Sequence, residues 1–262
     1  MISLRVRSSL LRGGLALLLV ASVFRPLSAQ QVSQDSLRSA VERAVIAADW
    51  VAIDRAAVAL RAATQTASGR NDAWLHYDLA YALHRRASGL IIEGRASDAK
   101  AMLEEAIAAA ARSRALGGGA QAQALEGAVT GQLAGAAGGL AMMRNGRASF
   151  RLLDEAVAAA PNDPRVALLN GISRTNAPAF AGGGAARGET ELRRAVALFA
   201  NDRAVSPQPV WGRADAHIWL AIALEKQNKL AEAREQLELA LVHAPGHRWV
   251  VETLRPALAA RR

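Results

Sequence analysis

The sequence predicts an all-α protein, on three observations. About 61 of its 262 residues are alanine and only 4% are aromatic, so the apolar content is small and helix-forming rather than bulky and strand-forming. Apolar residues recur with helical spacing, and no alternating run of Val, Ile, Thr or Tyr marks a strand. The helical segments come in pairs, separated by breaks of Gly, Pro, Asn or Asp. With 52% hydrophobic residues, the chain is too apolar for disorder and long enough to bury a real core.

The elements follow in order. Residues 35–48 and 51–67 make the first pair, broken at Asp49 and Trp50, with Ser33 or Asp35 placed to cap its first helix. The turn at residues 68–72 ends in Asp72, a cap for the second pair, 73–92 and 95–116, which breaks at Gly94. Three glycines, 117–119, stop that pair. The third pair runs from 120 to 144, turns at Asn145–Gly146 and continues to 160. Pro161 and Pro164 then frame a turn, the second proline opening the next helix. Residues 165–175 and 189–200 form the fourth pair around a glycine-rich insert, 176–189. After the loop 201–212 comes the fifth pair, 213–227 and 230–243. Pro245–Gly246 ends it, and 247–260 reads as a closing helix.

The first 29 residues have the layout of a secretory signal peptide: Arg5, Arg7 and Arg12, then an uncharged run from Gly13 to Phe24, then small residues before Gln30. That run is shorter than the roughly 20 residues of a spanning helix. Residues 30–262 would then be one mature domain, exported to the periplasm or secreted. Its charge differs from that of the whole chain. The formal +9 rests on 32 basic and 23 acidic residues; without the segment's four arginines, 28 against 23 leaves +5. No long run of like charges is present, so nucleic-acid binding is not expected. The absence of cysteine excludes disulfides, thiolate metal sites and cysteine catalysis, and suits an oxidising compartment.

The second helices share a pattern in which a large residue stands three before a small one. The pairs are Leu103/Ala106, Leu153/Ala156, Leu192/Ala195 and Leu237/Ala240. Ala99, Ala233 and Ser149 add a small residue seven before the last of these. Helical spacing sets them on one face, where small residues let helices approach closely. Residues 216–247 resemble a tetratricopeptide repeat (TPR), through Leu220, Ala221, Leu224, Ala233, Leu237, Ala240 and Pro245, with Asn228 in place of the usual turn glycine. Residues 130–163 give a second frame through Ala137, Leu140, Ala156 and Pro161, and weaker frames begin near 80 and 164. The resemblance implies a right-handed α-solenoid of about five helical hairpins with a C-terminal capping helix.

In TPR proteins the first helix of each pair lines the concave surface. The resemblance therefore implies Tyr81, His84, Arg165, Ile172, Asp215, Ile218 and Ile222 as concave-face residues, with core packing the better reading for Trp74, Tyr77 and Ile218. Gly127, Gly131, Gly135 and Gly139 recur every four residues in a predicted helix, and each costs about 0.5–1 kcal/mol relative to alanine. Close crossing by another helix explains such a stripe best, and a groove holding a ligand or partner at Gly131 and Gly135 is the sharper alternative. The insert interrupts a repeat where a tight turn is expected. It offers Phe180 for contact and Gly182, Gly183 and Gly184 as backbone donors for an anion.

No catalytic residue is assigned. The H-E-x-x-H, Glu-x-x-His and G-x-S-x-G patterns are absent, as is G-K-[S/T]. The five histidines carry no metal-ligand spacing. Neither a cofactor nor a metal is expected, nor a membrane span in the mature chain. The leading expectation is an exported, non-catalytic scaffold that captures a protein or peptide on its concave face. The alternative is a small-molecule-binding protein associated with solute transport.

Overall fold

Residues 33–261 are described by a computed structural model, and the predicted signal segment lies outside them. The α-helices are α1 (Gln34–Ala47), α2 (Trp50–Thr64), α3 (Ala73–Ile92), α4 (Ala96–Ser113), α5 (Gly119–Ala136), α6 (Gly139–Ala159), α7 (Pro164–Asn176), α8 (Ala185–Ala200), α9 (Arg213–Glu225), α10 (Leu230–His243) and α11 (Arg255–Ala259). No strand occurs among the described residues. The fold is all-α, and successive helices pack as hairpins, each on its neighbours.

Helix starts follow the expected capping chemistry. Ser33, Asp49, Asp72 and Asp163 accept backbone N–H bonds at the heads of α1, α2, α3 and α7, satisfying donors the helices cannot. Pro164 occupies the first turn of α7, where its missing N–H costs nothing.

The repeated large/small pattern is the core. Leu103, Leu153, Leu192 and Leu237 are enclosed, as are Ala106, Ala156, Ala195 and Ala240. Each buried leucine contributes about 1.5–3 kcal/mol. Ala99, Ala233 and Ser149 are buried on the same faces. In the 216–247 frame Leu220, Ala221 and Leu224 are buried too.

Three local expectations are corrected. The third hairpin turns at Ala137–Gly138 and not at Asn145–Gly146, which lie inside α6. Gly139 takes φ +56 there, a left-handed conformation that costs glycine little and so admits the tight turn. The 130–163 frame fails for the same reason: Ala137 falls outside α5, and Leu140 is 85% exposed at the head of α6. The insert is shorter than expected, because α8 begins at Ala185. The closing helix also contains a π-helical turn, Val250–Leu254, before α11.

Candidate functional site

The odd-numbered helices form an inner wall, with α3 against α5, α5 against α7 and α7 against α9. The wall divides into two parts at Arg85 and Asp215. Arg85 on α3 donates to Asp215 on α9 at 2.8 Å, and both are largely buried. Nearby Asp215, Tyr81 and Glu42 hold the guanidinium well above its ordinary pKa despite the opposing effect of burial.

On one side of this pair the wall is sealed by the chain itself. The loop 201–212 is latched to α1: Arg38 donates to the carbonyls of Pro207 (2.9 Å) and Gln208 (3.2 Å), and Ser206 Oγ donates to Asp35 at 2.7 Å. Arg38 also binds Asp78 of α3 through two N–H groups. Trp211 of the loop lies stacked on Tyr81, centroids 4.4 Å apart. Arg165 is 1% exposed, pairs with Asp202 at 2.8 Å and sits over the Phe199 ring. Glu42 closes the cluster. Burial, with Asp215 nearby, raises its pKa to about 7, and burial raises that of Asp78 to about 6. Glu42 Oε1, Tyr77 OH, Tyr81 OH, Trp211 Nε1, Arg165 Nε and His247 Nδ1 are enclosed here without a hydrogen-bond partner among the described residues. Tyr81, Arg165 and Asp215 thus meet in a sealed polar interior. Ile218 is fully buried in the core.

On the other side the wall is half-exposed. His84, Gln132, Ile172 and Ile222 are all of intermediate burial. Lys226 Nζ donates to the Thr175 carbonyl at 3.2 Å, tying the end of α9 to the end of α7, the helices that carry Ile222 and Ile172. His84 Nδ1 lies 2.8 Å from Gln132 Oε1, Gln132 Nε2 donates to Ser88 Oγ at 2.9 Å, and Ser88 Oγ donates to the His84 carbonyl at 2.9 Å. Burial, with the Arg85 charge beside it, lowers the His84 pKa to about 4.

An apolar rim borders this end of the array, where α3, α5 and α7 finish. Ile92, Leu140, Met142, Met143 and Phe180 are exposed. Arg174, in the last turn of α7, stacks over the Phe150 ring of α6 at 4.3 Å and pairs with Asp154. Residues 139–147 of α6 therefore run past the end of α7 by about 13 Å.

The glycine stripe serves the hairpin at its first two positions, Gly127 and Gly131. A Cβ on Gly127 would stand 2.9 Å from Leu153 Cγ, and one on Gly131 would stand 2.7 Å from Ser149 Oγ. Gly135, one turn on, meets open space. The expectation of free donors in the insert is corrected. The Gly182, Gly183 and Gly184 amides donate to the carbonyls of Ala179, Pro178 and Arg174, which leaves none for an anion. Phe180, by contrast, is 91% exposed.

A polar crevice of about 380 Å³ opens beside the 201–212 loop, by Gln121, Asp163, Arg165, Asp202, Arg203 and Gln208. Its acids are occupied, Asp163 by the α7 head and Gln121, Asp202 by Arg165 and the Ala204 amide. Among the described residues no group of three or more His, Cys, Asp or Glu is placed to hold a metal ion. No helix among them is long and apolar enough to cross a membrane.

Sequence reasoning missed Glu42, Arg85, Ser88, Gln132 and Trp211 as members of the wall. Arg85 and Ser88 had a signal, since they continue the Tyr77–Tyr81–His84 face of α3 at helical spacing. Gln132 had another, as a lone polar side chain in a run of Gly, Ala, Leu and Val. Glu42 and Trp211 had none, because long-range packing brings them in.

No protein-family model matches the chain, and no curated protein matches it. Its fold is similar to that of the HusA haemophore from Porphyromonas gingivalis, with a TM-score of 0.59 and 22% identity over 76% of this chain and 96% of that one. The likeness is one of fold.

Proposed function

We propose that this protein is an exported, non-catalytic binding protein whose ligand is a small amphipathic molecule held on the half-exposed part of the inner wall. The observation that carries this reading is the division of the wall at Arg85–Asp215. The loop 201–212 fills one part, so the length of groove an extended peptide needs is not free. What remains is a short surface with Ile172 and Ile222 as apolar floor, Gln132 and Ser88 as polar contacts, and an apolar rim. Pockets for small ligands have this character, mostly apolar with a few placed polar groups. The similar fold of a haemophore supports a planar, amphipathic ligand of porphyrin type.

The test is a titration of the mature chain with metal-free protoporphyrin, followed by tryptophan quenching. Saturable one-to-one binding is expected, weakened at least tenfold by Ile172→Glu or Ile222→Glu. Binding that is unsaturable, or indifferent to both substitutions, overturns the reading.

A protein or peptide partner is the second reading. The exposed Leu140, Met143 and Phe180 favour it, as apolar contacts on a projecting helix and loop.

A further inference from the structure

The hydrogen bonds around His84 fix its tautomer. Ser88 spends its hydroxyl hydrogen on the His84 carbonyl, 2.9 Å away, so toward Gln132 its oxygen accepts. Gln132 therefore turns its amide NH₂ to Ser88 and its carbonyl to His84. A carbonyl accepts, so the hydrogen of the neutral ring sits on Nδ1, and Nε2 keeps its lone pair. Nε2 has no hydrogen-bond partner among the described residues and is not among the enclosed polar atoms. His84 is half-buried and bonded to Gln132, one of the polar groups of the half-exposed wall.

Histidines that bind metals carry this signature: the far ring N–H is held by an acceptor, which orients the ring and makes the free nitrogen more basic. A bare ion needs further protein ligands, and no group of His, Cys, Asp or Glu supplies them here. A metal already held in a macrocycle needs only one.

Resting on the binding function proposed above, we propose that His84 Nε2 is the protein ligand to the metal of a planar metal–macrocycle complex of the iron-porphyrin class, with Gln132 and Ser88 as positioning residues.

The experiment compares ferric and metal-free protoporphyrin on the wild type, His84→Ala and Gln132→Leu, with helix content checked by circular dichroism. The wild type is expected to give the absorption and electron paramagnetic resonance spectra of a nitrogen-ligated ferric centre. His84→Ala should lose that signature and regain it on addition of free imidazole, while its affinity for metal-free protoporphyrin changes less than threefold. Gln132→Leu should weaken ferric binding by about 10–100-fold beyond any change in metal-free binding. Identical ferric spectra for wild type and His84→Ala overturn the inference and leave the binding function standing. Failure of the wild type to bind either porphyrin overturns both.

Discussion

Arg85 and Asp215 lie 130 residues apart and meet at 2.8 Å, tying α3 to α9 directly. The pair marks where the inner wall stops being interior and starts being surface. Its stability consequence is direct. Asp215→Asn leaves a guanidinium enclosed without its counter-charge, and such losses cost about 3–5 kcal/mol for fully buried pairs. With side chains 17% and 11% exposed, the expected loss is about 2–3 kcal/mol in urea unfolding. A loss below about 0.5 kcal/mol, the scale of a surface pair, would show that the pair is not structural.

Stability should fall as pH rises from about 4.5 to 7. Glu42 and Asp78 have folded-state pKa values of about 7 and 6, above their ordinary 4.5 and 3.8. Between the ordinary and raised values the folded protein holds more protons than the unfolded chain, so raising the pH favours unfolding. Glu42 accounts for a loss on the order of 3 kcal/mol across the window. Glu42→Gln should flatten the dependence and raise the melting temperature at pH 8. An unchanged slope in that variant would clear Glu42 of the effect.

The glycines of α5 should respond in graded fashion to alanine. Gly127→Ala drives a methyl into Leu153, Leu152 and the Ser149 carbonyl and should cost about 1–3 kcal/mol. Gly131→Ala meets the end of one serine side chain and should cost less. Gly135→Ala meets nothing and should stabilise by about 0.5–1 kcal/mol through helix propensity. Melting temperatures in any other order would contradict the packing described for the α5–α6 hairpin.

The latch between α1 and the 201–212 loop rests on Arg38. Arg38→Ala removes its two loop contacts and leaves Asp78 with Gln34 as its remaining side-chain partner. Amide hydrogen exchange in residues 203–210 should then rise by tenfold or more, with α10 unaffected, because local openings follow local contacts. Equal exchange in variant and wild type would mean that the loop holds itself in place.

Much of the fold was legible because it is written in local spacing. The pairs Leu103/Ala106 and Leu237/Ala240 announce the buried faces, and Asp72 and Asp163 announce helix heads. The third hairpin was misplaced because Asn145–Gly146 has turn chemistry. Glycine is tolerated within a helix where nothing crowds it, and the chain turns instead at Ala137–Gly138. The site was less legible. Tyr81, His84, Arg165 and Asp215 come from the resemblance to TPR proteins, which implies a face but not its cover. The loop carrying Trp211 covers Tyr81 and Arg165, and nothing local in the sequence fixes where a loop of that length lies. Ile172, Ile222 and His84 stayed half-exposed for the same long-range reason.

The most direct test of the central claim is a set of nitrogen–proton correlation spectra of the mature chain, recorded while metal-free protoporphyrin is added. The account predicts shifts concentrated at Ser88, Gln132, Gly135, Ile172 and Ile222, with Arg165, Asp202 and Trp211 unmoved behind the Arg85–Asp215 pair. Shifts centred on the 201–212 loop, with the half-exposed wall unchanged, would contradict it.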